Sequence, residues 1–159
     1  MKGRIKFWTL LLLLGVGLAA CKPEDLVLDP PGSKLDGING TFTLSEVIQI
    51  DPFVIGSGNS LDITSVFTGG GAPTISFDKD ALTYTFVPQD GPNYLGNAGS
   101  WAFDNVDYPT LITMNNGTAQ YDLKLLHTIR PQDEFLEVQY ERSCGTTVSV
   151  IYQFKFARN

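Results

Sequence analysis

The stretch VSVIYQFKF, residues 148–156, places an apolar side chain at every second position. Successive side chains of a strand point to opposite faces, so this alternation predicts a strand with one buried face and one solvated face. The row consists of Val148, Val150, Tyr152, Phe154 and Phe156. No charged residue interrupts it, which makes this segment the clearest strand in the chain and the starting point for the fold.

The same alternation recurs through the preceding hundred residues. Its other rows are Phe42 to Ile50, Ile75 and Phe77, Leu82 to Phe86, Trp101 and Phe103, Leu111 to Met114, Tyr121 to Ile129, and Leu136 to Arg142. Between two rows, Asn115-Asn116-Gly117 predicts a hairpin, because Asn and Gly accept a positive φ. Residues 61–67 fit either a short helical turn or a strand. The pattern therefore predicts about eight strands joined mostly by short turns.

Half-buried strands joined by hairpins indicate antiparallel pairing and an all-β fold. Two architectures hide the edges of such a sheet, namely a closed meander barrel and a two-sheet sandwich. The succession of short hairpins favours the barrel. The sandwich stays open as the alternative.

The N-terminus has the features of a signal peptide. A basic segment precedes an apolar run of about 14 residues, 7–20, which is shorter than the roughly 20 residues that a spanning helix needs. The run ends in Leu18-Ala19-Ala20-Cys21, which resembles the lipobox of bacterial lipoproteins. That resemblance implies cleavage before Cys21, a diacylglyceryl thioether on its sulfur and an acylated amine. An ordinary secretory signal is the alternative.

The residues after the cysteine indicate where in the cell the protein is located. Lys22-Pro23-Glu24-Asp25 resembles the export signal of surface lipoproteins in the Bacteroidetes. This implies an outer-membrane lipoprotein that faces the cell surface, whereas a solvated tether of arbitrary composition would carry no such information. The expected organisation is a signal peptide over residues 1–20, a lipidated tether over 21–39 and a β domain over 40–159.

Charge and cysteine content narrow the range of functions. Removal of the leader takes away three of the 11 basic residues and leaves eight against 17 acidic ones, a net charge near −9. Such a chain should repel nucleic acid and anionic lipid headgroups. Cys144 is the only cysteine besides Cys21, so with lipid on Cys21 no intrachain disulfide can form. Cys144 precedes Gly145 and is expected at a turn or a sheet edge.

Several segments together resemble a known family. Residues 34–44, KLDGINGTFTL, resemble the opening of lipocalin-like domains in Bacteroidetes lipoproteins. The segments that resemble the DUF5004 type of that group are ISF at 75–77, YTF at 84–86, GSWAFD at 99–104 and YP at 108–109. The resemblance covers most of residues 34–156. It implies a lipocalin-like barrel at the cell envelope and brings no catalytic residues with it.

The single histidine is the first candidate for chemistry. His127 shares a row with Leu123, Leu125 and Ile129, so we expect it to face the interior. There it would be a hydrogen-bonded core residue or, as a less favoured interpretation, a polar contact for a ligand. A nucleophile would need a base and an orienting acid within hydrogen-bond reach, and the chain has no Gly-x-Ser-x-Gly sequence. We therefore expect a protein that is not an enzyme.

Metal and cofactor sites have weak support. Asp78 with Asp80, and Asp104 with Asp107, lack the spacing of an EF-hand and are expected to form turns. No set of cysteines and histidines suits zinc. Residues 69–71 are all glycine but are followed by neither the lysine nor the clear helix of a phosphate-binding loop. We expect no metal and no cofactor.

Two charged residues fall within apolar rows. Glu46 interrupts the row of the first strand, and Arg142 ends a later one. Burying a charge without a partner costs free energy of folding. Either a bulge turns Glu46 to the solvent and Val47 to the core, or both charged side chains point inward and mark the hydrated end of a cavity. The candidate ligand-binding residues are therefore Trp101, His127, Glu46 and Arg142.

The expected function is non-enzymatic binding by a lipid-anchored outer-membrane protein. Its ligand would be a small hydrophobic or glycan-like molecule, or another envelope protein. An accessory glycan-binding sandwich and a purely structural envelope protein are the alternatives. An open cavity in the barrel would favour a small ligand, whereas a barrel filled by side chains would favour an interaction or structural role.

Overall fold

The computed structural model describes residues 32–56 and 58–159. The predicted signal peptide, the lipidation site Cys21 and the first part of the predicted tether lie outside the described residues. Within the described part of the chain, no helix has the length and apolar character needed to span a bilayer.

Two five-residue helices and nine strands make up the regular structure of these residues. In chain order they are α1 (Lys34–Ile38), β1 (Gly40–Ile50), β2 (Ser60–Asp62), α2 (Thr64–Thr68), β3 (Thr74–Asp78), β4 (Thr83–Val87), β5 (Ala98–Phe103), β6 (Leu111–Asn115), β7 (Gln120–Leu125), β8 (Phe135–Cys144) and β9 (Thr147–Arg158). Residues 61–67 fitted either a helical turn or a strand from their sequence, and the structure has both there: the end of β2 and most of α2.

The strands form a closed antiparallel barrel. From β3 to β9, each strand pairs with the next one along the chain, and β1 pairs with both β3 and β9 to close the ring of eight. Strand β2 is an addition to the C-terminal half of β1, where Ile50 lies opposite Ser60. The all-β antiparallel barrel predicted from the sequence is confirmed, it is consistent with a lipocalin-like barrel, and the sandwich is excluded.

The interior of the barrel is filled by side chains. Most side chains of the predicted rows point inward, and 20 buried apolar residues form one core cluster. The rows are wrong at Ile48 and Ile50, which a shift of register in β1 turns to the face opposite buried Val47, and at Leu82, His127 and Arg142, which are exposed. Aromatic rings meet edge to face across the core cluster, as with Phe77 and Trp101, whose ring centroids lie 5.6 Å apart. An internal void between Leu44, Phe86 and Leu95 has a volume of about 10 Å³, which is roughly the room needed for one water molecule. Among residues 32–56 and 58–159, the core thus stabilises the barrel and leaves at this void no room for a ligand larger than water.

Different segments close the two ends of the barrel. At the N-terminal pole, so named because the described chain begins there with Gly32 beside Pro131, α1 packs against the loop over residues 126–134. At the opposite end, the distal pole, α2 inserts Phe67 into the core. Its ring lies 5.7 Å from that of Phe154, centroid to centroid. Both ends are thus sealed by buried side chains.

The folded unit begins earlier than the boundary expected at residue 40. The Ser33 hydroxyl accepts a hydrogen bond from the Leu35 N–H and caps α1, and Ile38 is completely buried. Gly37 lies so close to the 126–134 loop that a Cβ would come within 2.6 Å of the Ile129 side chain. Residues 33–39, assigned to the tether because residues 22–39 are rich in proline, glycine and charge, therefore belong to the barrel domain.

Arg158, at the end of β9, joins the segments of the N-terminal pole. Its guanidinium donates hydrogen bonds to the carbonyl oxygens of Gly37, Asn39 and Asp133. The same group lies 4.6 Å from the centroid of the Phe42 ring. Hydrogen bonds to a charged group are among the stronger ones in proteins. This residue connects the C-terminal strand to α1 and to the 126–134 loop.

Candidate functional site

Trp101 is a core residue. It is 3% exposed, and its ring packs against Phe77 and Phe103 inside the barrel. Its indole N–H donates a hydrogen bond of 3.2 Å to the Asp78 carbonyl oxygen. The polar and apolar parts of the side chain are both satisfied within the protein, so Trp101 lines no open site among the described residues.

His127 lies on the outside of the barrel, and the expectation that it faces the interior is wrong. Strand β7 ends at Leu125, and the chain bends at Leu126 and His127 before Ile129 re-enters the core. The period-two pattern therefore ends before it reaches the histidine. The side chain is 42% exposed, and its Nδ1 lies 3.6 Å from the Glu137 carboxylate.

Glu46 is turned outward by a bulge. The register of β1 against β9 shifts between Leu44 and Glu46, so that Glu46 is exposed and Val47 is completely buried. This is the first of the two alternatives that the sequence left open. Glu46 lies opposite Lys155 on the outer face, where its charge stays hydrated.

Arg142 also lies outside the core. It is exposed, and its guanidinium carbon lies 5.5 Å from the centroid of the Tyr94 ring. Neither Arg142 nor Glu46 points inward, so they do not form the hydrated end of a cavity that the second alternative for these two charges required. The four candidate residues are thus spread over the core, the outer wall and both poles, and they do not form one site.

The acidic loops have the turn roles expected of them. The Asp104 carboxylate accepts hydrogen bonds from the Thr110 hydroxyl at 2.7 Å and from the Thr110 and Leu111 N–H groups at 2.9 Å each. These bonds, the Thr110 hydroxyl first, lower the pKa of Asp104 to about 2. Asp78 similarly accepts from the Asp80 and Ala81 N–H groups. Both carboxylates hold loops of the N-terminal pole.

The distal pole carries an apolar surface that the strand pattern did not identify. Phe53 is 67% exposed and Ile55 fully exposed, with Val54, Leu61 and Val66 also exposed nearby in the chain. We call these five residues the apolar tip. They lie in the β1–β2 loop, on β2 and on α2. Exposed large apolar side chains mark an interaction surface where they form a contiguous patch.

Polar contacts at the base of the apolar tip hold its backbone in place. The Asp51 N–H donates to the Asn59 carbonyl oxygen at 2.8 Å, and the Asp51 carboxylate accepts from the Phe53 N–H at 2.9 Å. The Asp62 carboxylate accepts from both the N–H and the hydroxyl of Thr64. The loop therefore displays its apolar side chains from a defined base.

The sequence offered one signal for the tip. The run Pro52-Phe53-Val54-Ile55-Gly56 is apolar but follows the end of a strand and is bounded by proline and glycine, which favour a loop. Apolar residues in a loop lack the alternation that would bury them. Arg158 gave no such signal, because its partners are backbone atoms remote in sequence.

Comparisons of the chain with protein-family models, with curated proteins and with solved structures found no match.

Proposed function

We propose that this protein is a lipid-anchored lipoprotein of the outer membrane that docks another envelope protein through the apolar tip. It acts by binding and carries out no catalysis. The observation that carries the proposal is the exposure of five large apolar side chains at the distal pole of the barrel. Two resemblances support the outer-membrane location: that of residues 18–21 to a lipobox and that of residues 22–25 to a surface-export signal.

The filled interior argues against the small-ligand alternative. Pockets for small molecules usually have volumes of about 300–1,000 Å³, and the internal void beside Phe86 has about 10 Å³. A hydrophobic ligand would have to displace core side chains, which costs packing energy throughout the barrel. Binding on the outer surface requires no such change.

The composition of the tip favours a protein partner over a bilayer. Segments that lie in a membrane surface usually combine apolar residues with lysine or arginine. The chain has neither between Lys34 and Lys79, a range that contains the whole tip, whereas Asp51 precedes the tip and Asp62 lies between Leu61 and Val66. Anionic headgroups would therefore repel the rim of this surface.

Native complex size tests the proposal. The lipidated protein is extracted from membranes with a mild detergent and compared with a Phe53→Ser/Ile55→Ser variant. A Val106→Ser/Tyr108→Ser variant serves as the control, because it removes exposed apolar side chains from the N-terminal pole. We expect the unmodified protein and the control to migrate in a larger complex, and the tip variant to migrate alone.

Two results would contradict the proposal. The unmodified protein could migrate as a free chain, which favours a purely structural role, or the tip variant could retain the complex. The anchor has its own test, since Cys21→Ala should yield an unprocessed or mislocalised precursor. Protease treatment of intact cells, with lysed cells as the reference, determines which side of the outer membrane the barrel faces.

A further inference from the structure

A polar cleft lies at the N-terminal pole, on the outside of the barrel and remote from the apolar tip. It opens between the 126–134 loop and the outer face of β8, and its volume is about 690 Å³. That volume falls within the usual range for sites of small ligands. The charged, amide and aromatic side chains that line it are those of His127, Arg130, Gln132, Asp133, Glu134, Phe135 and Glu137.

The walls of the cleft are held by the fold. Ile129 anchors the loop in the core. The Asp133 carboxylate accepts from the Arg130 N–H at 2.8 Å, and the Asp133 N–H donates to the Arg130 carbonyl oxygen at 3.1 Å. The Glu134 carbonyl oxygen accepts from the Arg158 N–H at 2.8 Å. A loop fixed at these points loses little conformational freedom when a ligand binds.

Carboxylates outnumber the basic groups that line the cleft. Glu137 is paired with Lys155 at 3.0 Å and lies 3.6 Å from His127. Arg130, Asp133 and Glu134 each have no ion-pair partner within residues 32–56 and 58–159. The Asp133 carboxylate accepts from the Arg130 N–H, and a strongly anionic ligand would meet both it and Glu134. This arrangement disfavours an anionic ligand and offers donors and acceptors to a neutral one.

The remaining lining matches the surface of a sugar ring. Planar guanidinium, carboxylate and amide groups can each make paired hydrogen bonds with neighbouring hydroxyl groups. Phe135 is partly exposed at the same place, with the Lys155 ammonium 4.3 Å from its ring centroid. An aromatic ring offers an apolar surface for the C–H groups of a pyranose. We propose that this cleft binds a neutral saccharide.

This site is independent of the proposed docking function. The cleft and the apolar tip lie at opposite poles and share no residue. Loss of saccharide binding would leave docking intact, and the reverse also holds.

Nuclear magnetic resonance titration of the mature protein tests the inference. The probes are the methyl glycosides of glucose, galactose, mannose and N-acetylglucosamine at millimolar concentration, with glucuronate and inorganic phosphate as anionic references. We expect at least one neutral glycoside to shift the amide signals of residues 126–137 in a saturable way. An Arg130→Ala/Glu134→Ala variant should weaken this binding at least about tenfold.

The matched control is Arg142→Ala, which removes an exposed arginine from the distal pole and should leave the titration unchanged. A dispersed amide spectrum of each variant verifies its fold. The inference would be overturned if none of the neutral glycosides gave saturable shifts. Equal binding by the double variant, or stronger shifts with glucuronate or phosphate than with any glycoside, would also overturn it.

Discussion

The two poles of the barrel differ in how they use their residues. The N-terminal pole is held together by polar contacts, with Arg158 bound to three carbonyl oxygens and Asp104 closing a loop. The distal pole buries Phe67 but displays Phe53 and Ile55 to solvent. Exposed apolar side chains contribute little to folding. This difference underlies the proposal that the distal pole docks a protein, and it predicts that the polar contacts of the N-terminal pole contribute more to stability than the exposed side chains of the tip.

The sharpest test of this division lies within the distal pole itself. Phe67 is 2% exposed and Phe53 is 67% exposed, so the same Phe→Ala change can be made at a buried and an exposed site. Phe67→Ala should lower the free energy of unfolding by about 3–5 kcal/mol, since it leaves a cavity. Phe53→Ala should change it by no more than about 0.5 kcal/mol. Urea unfolding followed by tryptophan fluorescence measures both values.

A similar loss of stability in the two variants would mean that the tip is part of the folding core. The assignment of the tip to docking would then fail.

The second test compares the poles through two arginines. Arg158→Ala removes hydrogen bonds to three backbone carbonyl oxygens and should destabilise the protein by about 2–4 kcal/mol. Arg142→Ala removes an exposed side chain that contacts a tyrosine ring and should cost less than about 1 kcal/mol. The midpoint of urea unfolding gives the comparison. Equal losses of stability in the two variants would mean that the polar contacts of Arg158 stabilise the N-terminal pole no more than Arg142 stabilises the distal pole.

The third and smallest effect concerns pH. Hydrogen bonds in the folded state lower the pKa of Asp104 from 3.8 to about 2. A lowered folded-state pKa contributes stability that is complete above the unfolded value and is lost as the pH falls through the folded one. The stability difference between the unmodified protein and Asp104→Asn should therefore shrink between about pH 5 and pH 2. Urea midpoints measured across this range test it, and a constant difference would contradict the role of the carboxylate.

The sequence predicts the barrel well because its information is local and periodic. Each inward row, such as Tyr152, Phe154 and Phe156, specifies which face of its strand is buried. The alternatives for Glu46 were also framed correctly, since an unpaired charge must leave the core and Val47 can replace it. These inferences need only the period of a strand and the cost of burying charge.

The sites were less predictable because they depend on where periodicity ends. His127 was placed inside by extending the β7 row beyond Leu125, where the strand stops. Residues 34–38 were placed in the tether although Ile38 is buried, because contact with the 126–134 loop is remote in sequence. The polar cleft likewise combines a loop with a neighbouring strand face. Such juxtapositions follow from closure of the barrel and have no periodic signal.

Site-specific photo-crosslinking in living cells tests the central claim most directly. A photo-reactive amino acid replaces Ile55 at the distal pole in one version of the lipidated protein and Tyr108 at the N-terminal pole in another; both positions are highly exposed. If the apolar tip docks a protein, position 55 should give one discrete protein adduct that position 108 does not give. Adducts with lipid alone at position 55, or the same adducts at both positions, would contradict the account.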